Sequence, residues 1–156
     1  MGEAFDKVRD MFKTMGWPAT PIEGQPVLRI SDYTGVNGRW TCFAQVVEAQ
    51  SEFVFYSVCS VNVPPEKRPA MAEFLTRANY GLIIGNFEMD YRDGEVRFKT
   101  STVLDEKFET GLLQGIVQLN VLTLDKYLPG MLKITYGSMT PTEAIDQLEG
   151  PGALHA

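Results

Sequence analysis

Histidine is almost missing from this chain: His155, near the C-terminus, is the only one. A single imidazole cannot complete a zinc site, and it leaves no Cys-His or Ser-His pair for nucleophilic catalysis. Cysteine is scarce too, with Cys42 and Cys59 alone and no C-x-x-C spacing between them. That removes the usual zinc and dithiol motifs. If segments 39–48 and 52–61 pair about Gln50-Ser51, Cys42 could face Cys59. Two buried, reduced thiols are the simple reading, and a strained cross-strand redox pair is the alternative. Positive charge is in deficit: 14 Lys and Arg stand against 20 Asp and Glu, for a net charge of −6 and a pI of about 4.8. The cations are scattered, so there is no basic footprint for nucleic acid or for an anionic membrane surface. No apolar run approaches the length of a membrane span. The opening Met1-Gly2-Glu3-Ala4-Phe5-Asp6 is acidic and lacks the apolar core of a signal peptide. The expected location is cytoplasmic. Gly81-Leu82-Ile83-Ile84-Gly85 is too apolar and wrongly spaced for a phosphate loop. No motif for a cofactor or a metal is found, and no catalytic residue is assigned.

What remains is enough for a folded core: 156 residues, 44% of them hydrophobic and 22% charged. Residues 1–150 are expected to form one domain, with 151–156 as a frayed tail. The clearest local signal is a β-hairpin. Asp93-Gly94 sits between two alternating runs, 85–92 and 95–100. A two-residue turn there sets Arg92 opposite Glu95, Asp90 opposite Arg97 and Glu88 opposite Lys99. The other face then carries Phe87, Met89 and Tyr91 against Thr100, Phe98 and Val96. One face is solvated and the other is core. The acidic pairs Glu88/Asp90 and Asp105/Glu106 read as solvated charges rather than as acid–base machinery.

Other elements follow from periodicity. Phe5, Val8, Phe12 and Met15 recur at helical spacing over 3–15, and Gly16 stops that helix. Residues 17–26 read as an ordered loop with Trp17 and Ile22 packed. Strands are expected at Val27–Thr34, Arg39–Gln50 and Glu52–Val63. A strict Asn37-Gly38 turn and a register shifted by one residue are both open. The shifted one, which needs a bulge or a longer loop, sets Leu28, Ile30 and Val36 against the apolar row Trp40, Cys42, Ala44 and Val46. Phe53, Phe55, Cys59 and Val61 join that face. Phe43, Val47, Val54, Tyr56 and Val58 point the other way, so the sheet is apolar on both sides. Such a sheet is either sandwiched or covered by a partner. Tyr33, Phe43 and Tyr56 are also the aromatics that a flat ligand could use, although packing is the simpler reading.

Pro64-Pro65 starts a helix over Glu66–Asn79 with Met71, Phe74, Leu75 and Ala78 on one stripe. Asp105–Leu128 is a helix apolar at nearly every angle, broken by Pro129-Gly130, and it must be covered on more than one side. A symmetric pair of chains burying Leu113, Val117, Asn120 and Leu124 about a two-fold axis would cover it, as would packing within the chain. Thr140-Pro141-Thr142-Glu143 is a capping box opening a short last helix that runs through Leu148. The expected class is α+β with an antiparallel sheet and helices largely on one face, in the order α-β-β-β-α-β-β-α plus a short C-terminal helix.

Several strings together carry a resemblance. They are Arg77-Ala78-Asn79-Tyr80-Gly81-Leu82, Ile84-Gly85-Asn86-Phe87-Glu88, Asp93 through Thr100, Asp125-Lys126-Tyr127-Leu128-Pro129 and Thr140 through Ile145. The chain resembles the YbjN-type bacterial domain over most of its length after the first loop. The resemblance implies a fold similar to type III secretion chaperones: small, acidic, cytoplasmic α+β domains that commonly dimerise and bind unfolded protein segments. It also implies a sensory-transduction regulator without a catalytic residue to transfer. The expectation is a non-enzymatic, homodimeric, chaperone-like or regulatory module with an unknown protein partner. That partner would dock on exposed β edges or apolar grooves. The alternative is a small-molecule sensor with an aromatic-lined pocket between sheet and helices.

Overall fold

A computed structural model describes residues 2–150. Helix α1 spans Glu3–Met15, and strands β1 to β4 span Ala19–Pro21, Val27–Thr34, Arg39–Val47 and Glu52–Val58. Helix α2 (Arg68–Gly81) precedes β5 (Asn86–Asp90) and β6 (Glu95–Val103). The long α3 (Thr110–Tyr136) and short α4 (Pro141–Glu149) follow. The six strands form one antiparallel sheet in the order β1-β2-β3-β4-β6-β5. Helices α1, α2 and α3 pack on one face. Phe12 of α1 stacks on Phe55 at 6.1 Å, Phe87 meets Tyr127 of α3 edge-on at 5.4 Å, and Phe74 of α2 meets that same ring at 6.3 Å. Helix α4 lies outside, against α2 and α3, and buries Ala144 and Ile145.

The first helix ends where its glycine permits, at Gly16 with φ of 75°. The segment read as a loop over 17–26 instead contributes β1, and Trp17 packs against Phe12 and Tyr33. The side chains face as in the shifted reading, but the register lies three residues from a strict Asn37-Gly38 turn rather than one, with Leu28 opposite Ala44 and Ile30 opposite Cys42. A one-residue bulge between Ile30 and Tyr33, with Asp32 at φ of 55°, resets the parity. Tyr33 thereby pairs with Trp40. Val36, expected in that row, is instead 92% exposed at the turn.

The β5–β6 hairpin keeps its two faces but slides by two residues. Glu88 faces Arg97 and Asp90 faces Glu95, so the loop is Tyr91–Gly94 rather than Asp93-Gly94 alone. Gly94 takes φ of 78°, and Asp93 does not enter the positive region. A two-residue type I′ turn needs both. Asp90 closes the longer loop: its carbonyl accepts from the Gly94 N–H at 2.7 Å and its carboxylate from the Arg92 N–H at 2.9 Å. Asp93 accepts from the Glu95 N–H at 3.0 Å. A Cβ on Gly94 would lie 2.1 Å from the Val63 carbonyl oxygen, so the loop also docks the chain leaving β4.

Pro129-Gly130 does not break α3. A proline inside a helix deprives the carbonyl four residues earlier of its donor. Here that carbonyl is Asp125's, and the Asn37 side-chain N–H donates to it at 3.0 Å. The Asp125 carboxylate in turn accepts from the backbone N–H groups of Val36 (3.1 Å) and Asn37 (2.8 Å). The β2–β3 turn and the proline therefore satisfy one another. A Cβ at Gly35 would lie 2.4 Å from that carboxylate, and glycine makes the close approach possible. The capping box at α4 forms as expected, with Thr140 accepting from the Glu143 N–H at 3.2 Å.

Candidate functional site

The long apolar helix divides into two opposed faces. Leu113, Val117, Asn120 and Leu124, the residues expected at a subunit interface, all point at the sheet and are buried within one chain. That expectation is corrected: a single subunit already covers them. Asn120 is held beneath β4 and β6. Its side-chain N–H groups donate to the Phe55 and Phe98 carbonyls at 3.0 and 3.1 Å and to the Thr100 hydroxyl at 3.1 Å. The Thr100 hydroxyl in turn donates to the Ile116 carbonyl at 3.2 Å. The sheet and α3 are thus tied by a buried polar network. The side of α3 turned away from the sheet carries Leu112, Leu119 and Leu122, exposed by 64%, 37% and 64%.

The outer face of the sheet has no helix over it among the described residues. Cross-strand register places Phe43, Tyr56, Lys99 and Asn86 in one row, and Thr41, Val58, Arg97 and Glu88 in the next. Phe43, Tyr56 and Val58 are half-buried by their neighbours alone. The Arg97 guanidinium lies 4.1 Å from the centre of the Tyr56 ring and also bonds Glu88 at 2.5 Å. Lys99 reaches the other Glu88 oxygen at 3.3 Å. The face is therefore an apolar centre bordered on the β6–β5 side by paired charges. Asp90 belongs to that border, and the Arg92 guanidinium holds its carboxyl down at about 2.

Both sheet edges are partly obstructed. β1 is three residues long and ends in Pro21, which has no N–H to offer. At the other edge Asn79 of α2 mimics an extra strand. Its carbonyl accepts from the Phe87 N–H at 2.7 Å and its amide donates to the Phe87 carbonyl at 3.0 Å. Strand addition, one of the expected docking modes, has no free ladder at these positions.

The space between sheet and helices is filled by Phe12, Phe53, Phe55, Phe74 and Phe98, all fully buried, where the sensor reading expected an aromatic-lined pocket. A concavity of about 1140 Å³ lies elsewhere, between α1, the β3–β4 turn and residues 104–108. Glu3, Asp6, Asp10 and Glu48 rim it. Lys7 and Lys107 also line it, and Lys7 sits 4.3 Å from the centre of the Phe108 ring and donates to the Phe108 carbonyl. Among the described residues no group of three or more His, Cys, Asp or Glu converges as metal ligands. No helix there is long and apolar enough to cross a membrane. His155 and the expected frayed tail lie outside the described residues.

Both thiols are free and buried. Cys42 faces Ser57 rather than Cys59, with its sulfur 3.5 Å from the Ser57 hydroxyl. Burial pushes the Cys42 thiol up from 9.0 to about 12, against a smaller lowering by its hydrogen bond to Ser57. The folded state thus keeps a proton that the unfolded chain releases near 9. This contribution is intact below pH 9 and is lost as pH rises towards 12. Urea unfolding between pH 8 and 11 is expected to show wild type losing stability relative to Cys42→Ala by roughly 1.4 kcal/mol per pH unit above 9. A pH-independent difference between the two would contradict it. Burial and the Glu149 carboxylate, which accepts the Tyr127 hydroxyl proton at 2.8 Å, raise Tyr127 as well.

Comparison with known proteins adds the following. The sequence profile of the YbjN family, described as "Putative bacterial sensory transduction regulator", matches residues 5–133. The crystal structure of YbjN from E. coli, "a putative transcription regulator", superposes with a TM-score of 0.60 at 10% identity, covering 78% of this chain and 85% of that one. At that identity the likeness establishes the fold. A chain of the HopA1-SchA chaperone–effector complex aligns with a TM-score of 0.47 at 12% identity, covering 78% of this chain and 92% of that one. No curated protein matches the sequence.

Proposed function

Because the chain belongs to the YbjN family, and because its sheet is packed on one side only, we propose that it is a non-enzymatic, polypeptide-binding regulatory module. It works as a cytoplasmic homodimer. The single observation carrying this reading is the uncovered sheet face with Phe43, Tyr56 and Val58 half-exposed at its centre. Apolar side chains held on a rigid sheet and bordered by charges suit an amphipathic segment laid across the strands. The partly obstructed edges favour this face over strand addition. A chaperone-like role for this chain is part of the proposal.

The test is binding of the full chain to an array of overlapping polypeptide segments. Phe43→Ser with Tyr56→Ser is expected to weaken binding at least tenfold, a loss of about 1.4 kcal/mol. The melting temperature should fall by only a few degrees, since both side chains are already half solvated. Glu88→Gln should leave binding within about twofold. Equal binding by wild type and the double variant would overturn the assignment of the face.

A further inference from the structure

The outward side of α3 has a composition that no role inside the subunit explains. From Thr110 to Leu124 the helix carries no charged residue. Its solvent side over this stretch shows Gly111, Leu112, Gly115, Gln118, Leu119 and Leu122. A solvated helix face normally carries charge. Leu112, Gly115, Leu119 and Leu122 recur at three- and four-residue intervals, the seam spacing of packed helix pairs. A Cβ on Gly115 would meet nothing within 4 Å, so the helix backbone is bare to approach there.

We propose that this seam receives the same seam of a second copy, antiparallel, about a two-fold axis level with Val117. Counting outwards from that level decides the orientation. Leu112 falls opposite the partner's Leu122, and Gly115 opposite the partner's Leu119, a side chain against a gap. Just past the ends of the seam, exposed Glu109, the extended residue before the helix, lies towards the partner's Lys126 and Lys126 towards the partner's Glu109. The pattern is self-complementary in size and in charge, as an isologous contact requires. A parallel pairing would instead set Glu109 on Glu109 and Lys126 on Lys126. The inference rests on the homodimer reading above and replaces the interface residues first expected with those on the opposite side of the same helix. It is independent of the sheet face, which lies across the subunit. A seam of a few leucines per chain sets a dimer that dissociates on the order of micromolar concentrations.

The test is sedimentation of the full chain across that range, with oxidation of cysteine variants. Wild type is expected to pass from monomer to dimer, and Leu119→Glu to stay monomeric while keeping the folded circular dichroism spectrum of the wild type. Leu112→Cys with Leu122→Cys in one chain is expected to give a covalent dimer, while either single variant is not. The native thiols are buried and do not interfere. A Leu119→Glu dimer as tight as wild type would overturn the seam and leave the homodimer standing. Crosslinking of Leu112→Cys alone would overturn the antiparallel register. A wild-type monomer at every concentration would overturn both the seam and the homodimer.

Discussion

Replacing Asp125 with alanine is expected to destabilise the fold by about 3–4 kcal/mol. The carboxylate is buried and takes both turn amides, Val36 and Asn37. Hydrogen bonds to a charged acceptor contribute roughly 1.5–3 kcal/mol each, and their loss leaves part-buried donors without partners. The same joint contains a coupling that a double-mutant cycle can isolate. Asn37→Ala removes the donor to the Asp125 carbonyl, at a cost of about 1–2 kcal/mol. In a Pro129→Ala background residue 129 regains an N–H that can reach that carbonyl along the helix. The cost of Asn37→Ala should then fall by about 1 kcal/mol. Urea unfolding of the four proteins checks this. Strict additivity would show that Asn37 does not substitute for the missing helix bond.

The second large effect is at Asn120. Its amide offers two hydrogens to three acceptors: the Phe55 and Phe98 carbonyls and the Thr100 hydroxyl. Asn120→Leu, close in shape but without donors, is expected to cost about 2–3 kcal/mol. Asn120→Asp should be more informative. An ionised carboxylate would face three oxygens in a site with no solvent access. Its folded pKa is therefore raised above the unfolded value of about 3.9. The sign follows directly: the protonated acid is tolerated below that value, and stability is lost as pH rises above it. At pH 7 the loss should exceed about 4 kcal/mol, and at pH 4 the variant should approach wild type more closely. Chemical denaturation at the two pH values decides the matter. A variant equally stable at both would mean that the side chain is not confined under the sheet.

The parts of the fold that were legible in sequence are those fixed by neighbours along the chain. Phe5, Val8 and Phe12 at helical spacing set α1, Gly16 set its end, and Thr140 with Glu143 set the start of α4. The α+β class and the one-sided helix layer follow from element order. What was misread depends on distant partners. The hairpin slid by two residues because Val63 packs against Gly94 and Asp90 closes a longer loop, neither of which Asp93-Gly94 announces. Helix α3 continues through Pro129 because Asn37, 92 positions earlier, supplies the donor. The interface residues on α3 were placed on the wrong side for a related reason. In a helix apolar all round, periodicity cannot say which face meets the sheet, and Asn120 gives no local sign that it lies under it. Its three acceptors are gathered from β4 and β6, and no local pattern reveals them. The two-sided apolar pattern of β3 and β4 was the one signal in the sequence that pointed at the sheet face.

The most direct test of the polypeptide-binding account is site-specific photo-crosslinking in the native host. A photoreactive side chain would replace Phe43 or Val58 on the open sheet face, with Gln147 on α4 as the control position. The account predicts covalent adducts to a discrete set of polypeptides from the two sheet positions and none of these from the control. Identical adducts from all three positions would contradict it, as would no adduct from the sheet while a small molecule is retained in native mass spectrometry.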